Sequence, residues 1–362
     1  MSQRVAGIGQ PHAVRILVGL MMTLVAGCGG SPGSAGFEGV DLAMGSLAGQ
    51  APRTHCVGRF LVDLPESFRP SHSMGGGAGE AIFYFGRDAD FHTMTVTSFA
   101  QRVTSVQFDA VVAARSEELA RGTNYESNTS MLSSQEAWSP TETLLSHYAS
   151  VDVADAQVRE LHVLVEDAHV AITTTAYDAA QLQDAEARLR DMLERVRRVG
   201  DPASAGRGLC LGAVVVDADS DYEELQLGFR AEGRAHSDVR FQISLDTFRP
   251  PDDEPTLIAR GEANLAGLGV KPKTLKKGEC QLAGMEGEQW LGRFEEEGRP
   301  QHGFYAETNV RSPSPRQPKL MVEMFTGGED ASGGPAASSL GDEEAIALWE
   351  TIVASLRERP GA

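Results

Sequence analysis

Apolar positions along this chain recur with two periods. Ala81-Ile82-Phe83-Tyr84-Phe85 and Thr93-Met94-Thr95-Val96-Thr97-Ser98-Phe99 are short runs of β-branched and aromatic residues, which predict strands. From 108 to 121 the period lengthens: Val111, Val112 and Leu119 are spaced with alanines, and Gly122 ends the predicted helix. Strands are predicted around 128–137, 142–152 and 158–177, with arms 159–165 and 169–175 turning at Glu166-Asp167. Asp178 reads as the N-cap of a helix to about Val199, because Leu182, Leu189, Met192, Leu193 and Val196 share one face.

The second half repeats this order. Strands are predicted at 225–230 and 239–246, then a helix at 255–268 with Gly269 at its end. A strand pair at 279–293 and 301–308 and an alternating strand at 319–325 follow. A closing helix at 342–359 turns Ile346, Trp349, Ile352, Val353 and Leu356 inward. The residues repeat as well as the pattern. Cys56-Val57-Gly58-Arg59-Phe60-Leu61-Val62-Asp63 and Cys210-Leu211-Gly212-Ala213-Val214-Val215-Val216-Asp217 place cysteine, glycine and aspartate at equal spacing. The stretch 200–206 is rich in Gly, Ala and Ser with one Pro, and marks a boundary. The expected fold is α+β: two related domains, 53–200 and 207–360, each a mainly antiparallel sheet with helices packed on one face.

The N-terminus reads differently. Arg4 and Arg15 are the only formal charges before Cys28, and 16–26 is a short apolar run. A spanning helix needs about 20 apolar residues, so residues 1–27 read as a secretory signal peptide. Val25-Ala26-Gly27 followed at once by Cys28 resembles the bacterial lipobox, whose cysteine carries acyl chains such as palmitate. Gly29 follows, not Asp, which by resemblance to known sorting rules implies the outer membrane, facing the periplasm. Residues 28–52 are rich in Gly, Ser and Ala and read as a lipid-anchored flexible tether.

Charge and cysteines narrow the function. The chain of 362 residues carries a formal charge of −19, which becomes −21 once Arg4 and Arg15 leave with the signal peptide. Such a surface repels phosphates, so nucleic acid is not an expected partner. Cys56, Cys210 and Cys280 remain beside Cys28, so at most one internal disulfide forms, and Cys210 with Cys280 is the expected pair, both being in the second half. There is no CxxC pair and no tight Cys/His cluster, so no metal or other cofactor is expected.

Motifs for catalysis fail on context. Gly29-Gly30-Ser31-Pro32-Gly33 matches a nucleophile elbow in letters only, since it lies in the tether without strand or helix. Asp217-Ala218-Asp219-Ser220-Asp221 starts like a calcium loop, but Tyr222 and Gly228 stand where Gly and Glu are required. Gly75-Gly76-Gly77-Ala78-Gly79 lacks the lysine of a phosphate loop and reads as a loop tip. His162 and His169 sit on opposite hairpin arms and read as ordinary strand histidines. A non-enzymatic binding protein is expected.

The stretch Cys56 to Asp63, continued by Leu64-Pro65, resembles the start of immunity proteins that protect bacteria from class-4 phospholipase effectors of type VI secretion. Gly208-Leu209-Cys210-Leu211-Gly212 and Gly284-Met285-Glu286-Gly287-Glu288-Gln289-Trp290 are similar to that family's C-terminal domain. The resemblance spans about residues 53 to 358. It implies a lipid-anchored periplasmic protein whose two domains grip a secreted phospholipase and block its lid or active-site entrance, with no chemistry of its own. An envelope scaffold or accessory lipoprotein binding another protein is the alternative. Partner-contacting candidates are loop charges: Arg87, Asp88 and Asp90 in the first half, Asp219, Asp221 and Glu224 in the acidic loop, and Glu295, Glu296 and Glu297 in a later hairpin.

Overall fold

The repeated Cys-x-Gly spacing has a cause in the turn it makes. Gly58 sits at φ +59°, and a Cβ there would strike the Leu245 side chain. Through it strand β1 (Pro52–Gly58) reverses into β2 (Phe60–Pro65). In the computed structural model residues 46–71, 78–268, 271–329 and 334–362 are described. The signal peptide, Cys28, most of the tether with its Gly-x-Ser-x-Gly, Gly75 to Gly77 and Gly269 lie outside these residues.

The first half continues with β3 (Phe68–Pro70), the hairpin β4 (Gly79–Phe85) and β5 (His92–Gln101), and helix α1 (Ser105–Arg121). The short pair β6 (Thr123–Asn124) and β7 (Thr129–Ser130) leads to the meander β8 (Leu132–Ser139), β9 (Glu142–Ser150), β10 (Val153–Val165) and β11 (Ala168–Ala176). Helix α2 (Ala179–Arg195) and β12 (Val196–Arg198) close it. The second half runs β13 (Leu209–Leu211), β14 (Val214–Val216), β15 (Tyr222–Ala231), β16 (Arg240–Asp246) and α3 (Leu257–Leu268). Its meander is β17 (Lys273–Leu282), β18 (Met285–Glu296), β19 (Arg299–Thr308) and β20 (Lys319–Thr326). The pair β21 (Gly328–Glu329) and β22 (Pro335–Ala336), helix α4 (Asp342–Ser355) and β23 (Arg357–Glu358) follow.

Pairing turns this repeat into a pseudo-two-fold. The large sheet runs β17-β18-β19-β20-β16-β15-β4-β5-β11-β10-β9-β8, and every pair is antiparallel. Read outward from its middle, β4 to β8 and β15 to β17 visit equivalent strands in the same order. β4 and β15 meet at the centre, Tyr84 opposite Tyr222 and Ile82 opposite Glu224. The small sheet, β12-β14-β13-β1-β2-β23, obeys the same symmetry. Its outer strands are exchanged: β12 pairs with β14 of the second half, and β23 with β2 of the first. The halves therefore share both sheets, and the described residues fall within one compact unit. The boundary placed at 200–206 is the connection, with a short 3-10 turn at Pro202–Ser204, between β12 and β13 of the small sheet.

The exchange explains two helix ends that the apolar period overshoots. The expected helices to Val199 and Arg359 stop at Arg195 and Ser355. Val196 and Leu356 are extended, and Val196 pairs with Val216. Their apolar side chains fit the helical stripe but are buried with the small sheet. Helix α1 starts earlier than expected, because Thr104 and Gln107 form a reciprocal capping box.

The disulfide also follows the symmetry and corrects the expected Cys210–Cys280 pair. Cys56 and Cys210 are linked, their Cα atoms 5.8 Å apart, and Cys280 is free. Cys56 on β1 and Cys210 on β13 are repeat equivalents on neighbouring strands, whereas Cys280 lies on the edge strand β17. The bridge sits among Leu61, Val199, Ala205 and Val215.

Side chains alternate across the large sheet, so each strand offers two faces. Ala81, Phe83, Leu161, Ile172, Leu225, Leu227, Phe304 and Ala306 point inward, into a core shared with the small sheet. Leu189 and Met192 of α2 and Trp349 of α4 join that core, where Trp349 donates to Gln289 Oε1 at 3.2 Å. Helices α1 and α3 lie on the reverse face. Arg115 of α1 reaches Glu160, which alternates with Leu161, and Arg260 of α3 reaches Glu307, which alternates with Ala306. These two helix-to-strand ion pairs occupy matching elements of the two halves.

Candidate functional site

Between α1 and α3 the reverse face of the central strands is open. Every second residue there is half-buried, and all but Ile82 are polar or aromatic: Glu80, Ile82 and Tyr84 on β4, Glu224 and Gln226 on β15, Gln242, Ser244 and Asp246 on β16. The register aligns them in rows, with Glu80 opposite Gln226, Gln226 opposite Ser244 and Glu224 opposite Asp246. Glu323 on β20 stands opposite Gln242 and takes a hydrogen bond from its Nε2 at 2.9 Å. With strands about 4.8 Å apart, the open stretch from β5 to β16 is a trough about 15 Å wide, bordered by β20, whose Met321 and Glu323 are buried.

Carboxylates crowd this trough. Burial, reinforced by Glu224, raises the Glu80 carboxyl. Burial pushes Asp246 up to about 6 against the pull of Lys319. Burial pushes Glu323 up to about 7, Glu307 adding to the effect and Gln242 opposing it. The nearby cations are already engaged: Lys319 with Glu254 at 2.7 Å and Arg260 with Glu307 at 2.7 Å. Arg230 and Arg240 stand at the far end and donate to the carbonyls of Ser237 and Gly327. A raised carboxyl destabilises the fold once it ionises. Stability linked to Glu323 is therefore full below its unfolded value of 4.5 and falls as pH rises through about 7. Glu323→Gln is expected to raise the unfolding free energy by on the order of 3 kcal/mol at pH 8 and not at pH 4, read from denaturant midpoints.

At the other end the trough meets aromatic rings. Tyr84 packs edge-on to Phe248 at 4.8 Å, Tyr222 stacks on Phe248 at 4.7 Å, and Phe91 lies 6.5 Å from Tyr84. Tyr84 donates to Glu224 Oε1 at 3.1 Å, and the Gly86 amide donates to Asp221 Oδ2 at 2.8 Å. Those bonds join two of the predicted loops. Arg87, Asp88 and Asp90 follow Gly86 beside Asp221 at this rim, Glu224 lies in the trough itself, and Asp219 stands towards Arg195. Glu295, Glu296 and Glu297 are not brought to them. They form the β18–β19 turn, at the opposite end of the strands and several strands away. Glu80, Asp246 and Glu323 were not anticipated; their only signal was polar residues at every second strand position.

Two further clusters are closed. Beneath α1, Glu160 accepts from Arg115 through both oxygens, from His147 Nε2 at 3.0 Å and from His162 Nε2 at 2.7 Å. His162 Nδ1 lies 2.9 Å from His169 Nε2, and Phe99 stacks on His169. The two histidines read as ordinary strand residues are thus members of a buried network. In the second half, Ser338, His302 and Asp342 line up like a hydrolytic triad, with His302 3.2 Å from Ser338 Oγ and 3.0 Å from Asp342. Ser338 Oγ, however, donates to Leu340 O and accepts from Thr326 and the Leu340 amide, so its hydrogen-bonding capacity is spent. Among the described residues no group of three or more His, Cys, Asp or Glu side chains is placed to hold a metal. No described helix is long and apolar enough to cross a membrane.

Comparison with known proteins places this architecture. Among solved structures, the apo immunity protein TplEi of the type VI secretion system from Pseudomonas aeruginosa is similar at TM-score 0.59 and 20% identity, over 86% of this chain and 98% of that one. A chain in the crystal structure of the Tle4-Tli4 complex is similar at TM-score 0.60 and 20% identity, with the same coverage of 86% and 98%. TplEi complexed with "L" peptide gives TM-score 0.55 at 19% identity. At such identity these likenesses establish the fold. No curated protein sequence matches the chain. By sequence, residues 203–361 match the family model of the Tle cognate immunity protein 4 C-terminal domain, and these residues contain one whole half of the pseudo-two-fold.

Proposed function

We propose that this protein is a periplasmic immunity lipoprotein that binds a type VI secreted phospholipase and neutralises it by covering its lid or active-site entrance. The match of residues 203–361 to an immunity-protein domain carries this reading. The fold likeness to a chain of the Tle4-Tli4 complex over 86% of this chain supports it. The Cys56–Cys210 disulfide supports an oxidising compartment, and the Val25-Ala26-Gly27-Cys28 sequence supports an acylated anchor there. Inhibition is by occlusion, without chemistry: the serine that most resembles a nucleophile, Ser338, is spent on internal hydrogen bonds.

The test is co-expression with a Tle4-class phospholipase encoded in the same genome. Cells exporting the lipase to the periplasm are expected to lyse alone and to survive with this protein; lysis in both cases removes the reading. Cys28→Ser is expected to move the protein from the membrane to the soluble fraction on fractionation. A Cys28→Ser protein still in the membrane fraction would contradict the anchor.

A further inference from the structure

We propose that the trough between α1 and α3 is the surface that docks the phospholipase, and that it receives a lysine- or arginine-bearing segment of that enzyme. The inference rests on the immunity reading above and assigns it a place and a chemistry.

Geometry comes first. A sheet face flanked by two helices and left open over about 15 Å has room for a helix, about 10 Å across, or for a loop. The face lies on the pseudo-two-fold, where β4 and β15 meet, so a docked segment touches both halves at once. Glu80, Glu224 and Asp246 stand in adjacent rows there, with Lys319 and Arg260 already bound to Glu254 and Glu307. Three carboxylates gathered on a half-buried face, where the cation in register with Asp246, Lys319, is bound to Glu254, favour a partner that brings a further cation. Burial of Glu80 and Asp246 raises both carboxyls, which supports the same point.

The rim supplies the apolar part of an interface. Among the described residues eight large apolar side chains are exposed: Phe91, Val106, Val111, Tyr125, Val151, Val153, Tyr177 and Tyr222. All but Val106 and Val111 lie at one end of the strands, the end where Phe91 and Tyr222 border the trough. From Tyr222 on β15 to the β9–β10 turn at Val151 this rim runs about 24 Å. Aromatic anchors beside paired charges are the composition of protein interfaces, and contiguous exposed apolar side chains mark them.

Other occupants fit less well. Residues 29–45 of the chain itself carry Glu38 and Asp41 and no lysine or arginine, so the tether offers no cation. A second copy, with a formal charge of −19, is repelled.

The experiment uses the Cys28→Ser protein and the Tle4-class phospholipase of the co-expression test with its catalytic residue replaced. Glu80→Gln with Asp246→Asn is expected to raise the Tm of the free protein at pH 7.5, because like charges are removed. It is expected to weaken binding to the lipase at least about tenfold and to flatten its dependence on salt. Greater stability with weaker binding is a signature that a purely structural role does not produce. A raised Tm with unchanged affinity overturns the proposal, as does a lowered Tm. Glu295→Gln, Glu296→Gln and Glu297→Gln together, at the other end, are expected to change neither quantity; weaker binding there with intact binding in the trough variant moves the interface to that hairpin and overturns the proposal. If the unaltered Cys28→Ser protein does not bind the lipase, the immunity reading falls, and this inference with it.

Discussion

Replacing Cys56 with alanine will lower the unfolding free energy by about 5 kcal/mol, the value for closing a loop of this length. The bridge joins residues 154 positions apart in sequence, so its loss releases about half of the folded chain into a freer unfolded state. The native side matters too. The bridge holds β1 to β13, where only Val57 with Leu211 and Gly58 with Cys210 are in register. The exchanged strands β12 and β23 are three and two residues long and add little by themselves. Urea unfolding of the oxidised protein, of Cys56→Ala and of Cys280→Ala checks this. Cys280→Ala is expected to match the parent within experimental error, since that thiol is unbridged on an edge strand. A reduced protein as stable as the oxidised one would contradict the role given to the bridge.

Glu160→Ala will have the next largest effect, a loss of about 3–5 kcal/mol. The cost is in what remains. Arg115, His147 and His162 all direct hydrogen bonds at this one carboxylate beneath α1; its removal leaves the buried His147 and His162 without that acceptor, while Arg115 keeps only Glu118. Burial alone would raise the Glu160 carboxyl, but the bonds from His147, His162 and Arg115 outweigh it and hold the group far below the ordinary carboxylate range. A carboxyl depressed in the fold contributes stability above its unfolded value of 4.5, and that stability is lost as pH falls below it. His169 acts in the same direction at higher pH. Burial, then His162, lowers it from 6.5 to about 4, so the unfolded chain takes up a proton first and stability drops across that interval. The parent is therefore expected to destabilise steeply below pH 5 and Glu160→Ala much less so. A parallel pH profile for the two proteins would show that the network is not the source.

Much of the architecture could be read from the residues, because the signals were local. The hairpin turning at Glu166-Asp167 lies where the turn residues put it, with Glu166 at φ +56°. Asp178 caps α2 through Gln181, as a side chain before an apolar stripe predicts. The repeat around Cys56 and Cys210 was visible as spacing. What spacing alone did not reveal was its consequence: equivalent residues near a two-fold axis come face to face, so repeated cysteines are candidates to pair with each other. Counting cysteines by half led to Cys280 instead. Strand exchange was hidden for a related reason. Val196 and Leu356 satisfy the helical period, and only the vacancy at the edge of the other half's hairpin pulls them out of it.

The site was harder to read than the fold. Two loops chosen for their charge, at 87–90 and 219–224, meet at one rim because β4 and β15 are neighbours, which no local pattern shows. The trough residues Glu80, Asp246 and Glu323 look in sequence like solvent-facing positions of amphipathic strands. They form a surface only after four strands from both halves of the chain, β4, β15, β16 and β20, are laid side by side.

The central claim is that this protein silences a phospholipase by binding it. The most direct measurement is a titration: the purified Tle4-class lipase of the co-expression test, hydrolysing phospholipid vesicles, against increasing Cys28→Ser protein. Activity is predicted to fall linearly to zero at one equivalent, with unchanged lipase mass. Full hydrolysis in the presence of excess protein would contradict the account.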